Sequence, residues 1–334
     1  MTTTIHDVAK RAGVGIGTVS SVLNNSRPVN EATRRKVLQA VAELDFVPNP
    51  SGRRLSMGKT HTVGVVIPFF TSPAQIKRLR GVMSVIGETE YDISLFSVET
   101  LTQRNRIFQK VPRRGNIDGL LIFSIEPTEA DLRRIEQHRI PTVLVEGYHL
   151  GLHSIAIDDQ LAAADAVNYL ISLGHRKIAY ISEFLDEQFG RFSQNRYQGY
   201  CQALESANIP HNPNYVRQCN PARLEGRRMA LELLQLPDPP TAIFTYSDVQ
   251  ALGALEAARD LNLNVPDDVS VVGYDDIDTA HFAQLTTVNQ HLFESGVQGI
   301  EYLLDAIEKP EMSSIHVQLA PDLVIRRTTA PPSS

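Results

Sequence analysis

Asp158-Asp159 and Asp275-Asp276 are the closest carboxylate pairs to weigh for acid–base chemistry, and ten histidines are the other obvious proton carriers or metal ligands. Neither set is arranged for that work. Adjacent acids on a strand point to opposite faces, so such a pair does not converge on one substrate atom. The histidines have no metal-ligand spacing, and the chain has no Gly-x-Ser-x-Gly elbow, Walker-type loop or Gly-x-Gly-x-x-Gly turn. Gly15-Ile16-Gly17 opens a helical pattern with no strand before it. Cys201 and Cys219 carry neither metal nor redox spacing and read as free thiols of a reducing compartment. An enzyme is not indicated, and no cofactor or metal is called for.

The informative spacing lies at the N-terminus. Thr4-Ile5-His6-Asp7 has capping-box form, and Ile5, Val8, Ala9 and Ala12 follow at helical intervals. Gly13 suits the left-handed turn that ends a helix. A second helix is expected from about Ile16 to Leu23, with Val19, Val22 and Leu23 inward. A third starts behind Asn30 as N-cap and is expected to bury Val37, Leu38, Val41 and Leu44. Three short helices with a glycine turn between the first two describe a helix-turn-helix. Charge agrees with a nucleic-acid partner. Residues 1–61 hold nine Lys/Arg against four Asp/Glu, while the rest of the chain holds 23 against 34. A basic head on an acidic body lets the head alone approach phosphate.

The stretches TIHDVAKRAGV, TVSSVLN and EATRRKVLQAVAELDFVPN, between Thr4 and Asn49, resemble the DNA-binding head of the LacI/GalR family of bacterial transcription regulators. The resemblance implies that the second helix enters the major groove and that its base-reading positions fall on Ile16, Gly17 and Ser21. Thr4, Thr18, Ser20 and Asn24 are the accompanying DNA contacts, Thr18 and Ser20 to phosphates. This helix has no side chain for a bidentate base pair. Ile16 can touch a thymine methyl and Ser21 can give one hydrogen bond, whereas Gly17 reads nothing directly. More weight falls on phosphate contacts and DNA shape. Beyond it, Pro48-Asn49-Pro50-Ser51-Gly52-Arg53-Arg54-Leu55 occupies the family's hinge-helix position. There Leu55 would wedge into the minor groove and Arg53 and Arg54 would hold the backbone. Isolated, so short a helix is unstable in water.

From Thr62 onward, short apolar runs alternate with helical patterns. Strands are expected at 63–67, 93–96, 120–123, 142–145, 155–157, 178–181, 242–244 and 269–272. Helices are expected at 75–89, 160–173, 196–207, 222–236 and 249–261. This alternation implies parallel sheets, and the length favours two similar lobes with ligand at the carboxyl ends of strands. Gly174-His175-Arg176-Lys177, Arg196-Tyr197-Gln198-Gly199, the segment Val265–Asp276, Leu285–Val288 and Leu323–Arg327 also resemble the family's core, so the likeness spans nearly the whole chain. It implies a two-lobed core like a periplasmic binding protein, crossed three times by the chain. It also implies an effector-binding set of Ser72, Gln75, Arg196, Ser247 and Asp275. Two aromatic stacking positions common in the family are absent here: Ser72-Pro73-Ala74-Gln75 fills one loop and Pro221 stands at the other. Phe69, Phe70, Phe189 and Phe192 are the available replacements.

The combined expectation is an all-α helix-turn-helix domain, residues 1–48, and a hinge, 49–61, before a doubly wound α/β core, 62–330. The core would divide into an N-lobe, about 62–160 and 289–319, and a C-lobe, about 161–288 and 320–330. The expected protein is a homodimeric repressor that binds pseudo-palindromic double-stranded operator DNA under control of a small-molecule effector. The alternatives are control by a protein coregulator, or a solute-binding protein without DNA function. MTTTIHDV lacks a signal peptide's apolar core, and no run nears the roughly 18 apolar residues of a membrane span, so the cytoplasm is expected. The end of the chain, TTAPPSS, has no heptads for a tetramerising coiled coil.

Overall fold

Helix α1 (Ile5–Ala12) begins where Thr4 donates its backbone N–H and its hydroxyl to the Asp7 carboxylate, at 2.9 and 2.7 Å. The same bonds lower the Asp7 pKa. Gly13, at φ 67°, ends α1, and Gly15 O accepts the first N–H bonds of α2 (Ile16–Asn24). Asn30 caps α3 (Glu31–Glu43) by accepting from the Ala32 N–H at 2.8 Å. Val8, Ala9, Val19, Val22, Val37 and Ala40 form the centre of this head. Leu38, expected inside, is 47 % exposed, and Ala40 packs inward instead. Once Val37 faces the core, helical geometry sends positions three and four further on inward and its next neighbour outward.

The computed structural model describes residues 3–24, 27–46, 59–185, 189–311 and 313–333. They fall into two compact units, one containing the three-helix head and the other running on from Thr62. The second unit contains two six-stranded sheets. The first comprises β1 (Thr62–Pro68), β2 (Asp92–Val98), β3 (Gly119–Phe123), β4 (Thr142–Val145), β5 (His153–Ile157) and β11 (His316–Leu319), in the order β11-β5-β4-β3-β1-β2, all parallel. The second comprises β6 (Ile178–Ser182), β7 (Val216–Gln218), β8 (Ala242–Thr245), β9 (Ser270–Asp275), β10 (Thr286–Asn289) and β12 (Asp322–Val324). Its order is β12-β10-β9-β8-β6-β7, with only β12 antiparallel.

Alternate residues of β6 face different helix layers. Ile178 and Tyr180 pack with Ala163, Val167 and Tyr200, on α7 (Asp159–Ser172) and α8 (Phe192–Ser206). Ala179 and Ile181 pack with Leu233 and Ala254, on α9 (Arg223–Leu234) and α10 (Asp248–Asp260). Burial on both faces is why these strands read as continuous apolar runs. Beside the first sheet, α4 (Pro73–Ile86) lies against α12 (Leu292–Glu308). The remaining helices are α5 (Leu101–Lys110), α6 (Glu129–His138) and α11 (Asp278–Phe282). The chain passes between the sheets after β5, after β10 and after β11, which makes three crossovers.

Candidate DNA-reading face and ligand cleft

On α2, Ile16 is 40 % exposed and Gly17 is exposed, whereas Thr18, Ser20 and Ser21 are half-buried. A Cβ on Gly15 or Gly17 would meet nothing within 4 Å, so this end of α2 offers open backbone to a partner. Thr4 is the α1 cap, and its hydroxyl hydrogen is spent on Asp7. The Asn24 side chain and the hinge residues Arg53, Arg54 and Leu55 lie outside the described residues.

Strand ends build the second candidate site. The chain turns through left-handed backbone just past β1 at Phe69 (φ 44°), past β3 at Ser124 (φ 47°) and past β4 at Glu146 (φ 58°), and again at Asp275 (φ 120°), the last residue of β9. Such conformations cost non-glycine residues about 1–3 kcal/mol and gather at ligand clamps. All four residues line a cleft of about 190 Å³ between the two lobes.

Arg196, on α8 and 2 % exposed, is the centre of the cleft floor. Its Nε donates to Asp159 at 2.7 Å, Nη1 to the Tyr246 carbonyl at 2.8 Å, and Nη2 to Glu146 at 3.4 Å. The guanidinium lies 3.8 Å from the centre of the Tyr274 ring and 4.4 Å from that of Tyr246. Glu146 also binds Arg78 of α4 at 3.0 Å and accepts from the Ser124 hydroxyl. Glu146 therefore ties an arginine of its own lobe to an arginine of the other. Asp275 is 3.9 Å from Arg196 and accepts from the Gln290 side-chain amide. Burial, helped by Glu146 and opposed by Arg196 and the Gln290 bond, pushes the Asp275 pKa up to about 7. Burial also raises that of Asp159, against the pull of Arg196.

Ser72, Gln75, Arg196, Ser247 and Asp275 all line this one cleft. Their polar groups are already engaged. Ser72 and Ser247 cap α4 and α10, accepting from the Gln75 and Gln250 N–H groups at 3.4 Å. Gln75 donates to Ser124 at 2.9 Å and accepts from Arg78 at 3.1 Å. Phe69, Phe189 and Phe192 supply aromatic surface, joined by Phe184, and Phe70 is not on the cleft. Phe69 and Phe189 meet edge to face at 5.8 Å.

Arg78, Ser124, Glu146, Asp159, Tyr246 and Gln290 were not singled out from the sequence. A usable signal existed for three of them: Ser124, Glu146 and Tyr246 are each the first residue past an apolar parallel strand, where such folds bind ligands. Arg78 and Gln290 had none, because their roles depend on how α4 and the β10–α12 segment pack.

Residues 4–49 match the family described as bacterial regulatory proteins, lacI family, and residues 167–329 match a periplasmic binding protein-like domain. The chain is 33 % identical over 332 residues to the HTH-type transcriptional repressor CytR of Escherichia coli K12, covering 98 % of this chain and 96 % of that protein. The chain belongs to the lacI family. Among solved structures of LacI-type regulators, it is similar to the transcriptional regulator CelR in complex with cellobiose. The TM-score is 0.70 at 29 % identity, over 98 % of this chain and 99 % of that one. It is also similar to the lac repressor dimer bound to operator and the anti-inducer ONPF, with a TM-score of 0.81 at 25 % identity over 99 % of this chain and 100 % of that one. These lacI-family relatives are transcription regulators, and none is named as an enzyme. No helix among the described residues is long and apolar enough to cross a membrane.

Proposed function

We propose that this lacI-family protein is a dimeric, non-enzymatic transcription repressor of the bacterial cytoplasm. Paired heads bind a pseudo-palindromic operator, and a small molecule between the core lobes sets the operator affinity. The observation that carries the reading is one chain joining a helix-turn-helix with an exposed second helix to a two-lobed core with a polar, aromatic-rimmed cleft. The relatives solved with cellobiose and with operator DNA support a sugar or a related metabolite as effector.

In this reading residues 1–48 are the head, 49–61 the hinge and 62–330 the core. Ile16 and Ser21 touch base edges while Thr4, Thr18, Ser20 and Asn24 hold phosphates. Arg53, Arg54 and Leu55 act at the central step. Ser72, Gln75, Arg196, Ser247 and Asp275 contact the effector. One short helix per half-site is too little for specificity alone, so two must act together.

Selection of binding sites from a random duplex library with the full-length protein tests the reading. A palindrome with a defined central step is the expected result. Recovery of unrelated or merely A·T-rich fragments would overturn direct operator recognition by this protein alone.

A further inference from the structure

Resting on the reading of the cleft as the effector site, we infer that it takes an uncharged, single-ring ligand rich in hydrogen-bond donors, and that it rejects phosphorylated or carboxylated analogues. Charge comes first. The cleft lining contains two cationic side chains, Arg78 and Arg196, and no lysine or histidine. Both guanidinium groups are spent. Arg78 pairs with Glu146 at 3.0 Å, and Arg196 pairs with Asp159 at 2.7 Å, Glu146 at 3.4 Å and Asp275 at 3.9 Å. Glu183 adds a further carboxylate to the lining. An incoming phosphate or carboxylate therefore meets a surplus of acid groups in a partly desolvated site, where like charges repel strongly.

Helix α4 and helix α10 do begin on the cleft, and helix N-termini favour anions. Their caps blunt that attraction. Ser72 and Ser247 already accept from the Gln75 and Gln250 N–H groups, and Pro73 has no N–H to offer. Two partial dipole charges do not balance the full charges of the carboxylates.

The second observation is an unmet acceptor. Gln290 is 3 % exposed, lines the cleft, and has a buried Oε1 with no hydrogen-bond partner. Its amide NH₂ is turned to the Asp275 carboxylate, which fixes which end of the side chain is the oxygen. A buried carbonyl left unpaired is costly, so this oxygen needs a donor. Glu146 and Asp275 are acceptors as well when ionised. A hydroxyl or amine hydrogen satisfies such a set, and an anion supplies none. Phe69, Phe184, Phe189 and Phe192 offer apolar faces to the ring carrying those donors. The cleft's volume of about 190 Å³ suits one ring better than two. Gln290 lies between β10 and α12, where the chain crosses between lobes, so a ligand held there also grips a crossover.

The test is thermal melting and calorimetric titration of the full-length protein with neutral monosaccharides, nucleobases and nucleosides, each beside its phosphate ester or uronic acid. At least one neutral compound is expected to raise the melting temperature, and its charged counterpart to bind about tenfold or more weakly. Gln290→Leu is expected to lower affinity for that neutral compound by about tenfold, the usual consequence of losing a buried hydrogen bond. The neutral-against-charged comparison is made on the unaltered protein, so it stands even if the variant folds poorly. A charged compound that binds more tightly than its neutral parent would overturn the inference while leaving small-molecule control intact. If neither class binds, small-molecule control falls, and the inference with it.

Discussion

Asp275 concentrates the cleft's chemistry in one carboxyl, buried and held against Gln290 and Arg196. Its pKa, pushed up from 3.8 to about 7, means that the folded chain binds this proton more tightly than the unfolded chain. The resulting stabilisation is complete below the unfolded value and is lost as pH rises through about 7, on the order of a few kcal/mol in total. Asp275→Asn removes that dependence. Melting curves from about pH 5 to about pH 8 should show the unaltered protein losing stability relative to the variant as pH rises. Parallel curves would place the titration elsewhere. A ligand hydroxyl donating to the carboxylate should bind more tightly over the same rise, which the titrations can follow. On α2, Ser21→Arg adds a guanidinium that can take guanine bidentately, worth about 1–3 kcal/mol of discrimination. Site selection with this variant should recover a changed base in each half-site. An unchanged consensus would remove Ser21 from base reading.

At the scale of elements, α4 and α12 cross so closely that a Cβ on Gly296 would lie 2.0 Å from the Arg78 carbonyl oxygen. A Cβ on Gly81 would lie 2.1 Å from that of Phe293. This crossing positions Arg78, whose Nε donates to Ser295 of α12 at 3.2 Å. Gly296→Ala should therefore destabilise the core by about 1–3 kcal/mol through overpacking, despite alanine's better helix propensity. It should also loosen effector binding. Denaturant unfolding checks the first effect, and a midpoint equal to or above the parent's would show that the helices move apart freely. Element burial also explains what was legible in sequence. Eight strands announce themselves because helices cover both sheet faces. Strands β7, β11 and β12 do not, being edge strands whose residues are half-buried or exposed, such as His316 and Gln318. Leu38 shows the same limit in a helix, where an apolar residue type does not say which way its face turns.

For the molecule as a whole, cleft and head must communicate through a coupling free energy. Saturating effector should change operator affinity by the same factor by which saturating operator changes effector affinity. Measuring both with the selected operator and the compound found by titration tests this directly, and unequal factors would point to a second binding event. Glu146 deserves the first substitution here, because its carboxylate joins Arg78 of one lobe to Arg196 of the other. Closing the lobes on a ligand requires that bridge to be kept or exchanged.

Short-range periodicity by itself determined the three-helix head, its capping box and glycine stop, the α/β alternation and most strands. Each depends on a residue and its neighbours within a turn or two. The resemblance carried by quoted motifs determined the family and the five effector positions, all of which meet in one cleft. Only the tertiary structure decided that Arg196 is balanced by Asp159 and Glu146, that Arg78 joins them, and that the Gln290 oxygen has no partner. Those facts join positions up to 115 residues apart, as between Tyr274 and Asp159. No local pattern encodes them, since charge balance and hydrogen-bond satisfaction in a cleft depend on which strand ends the fold brings together.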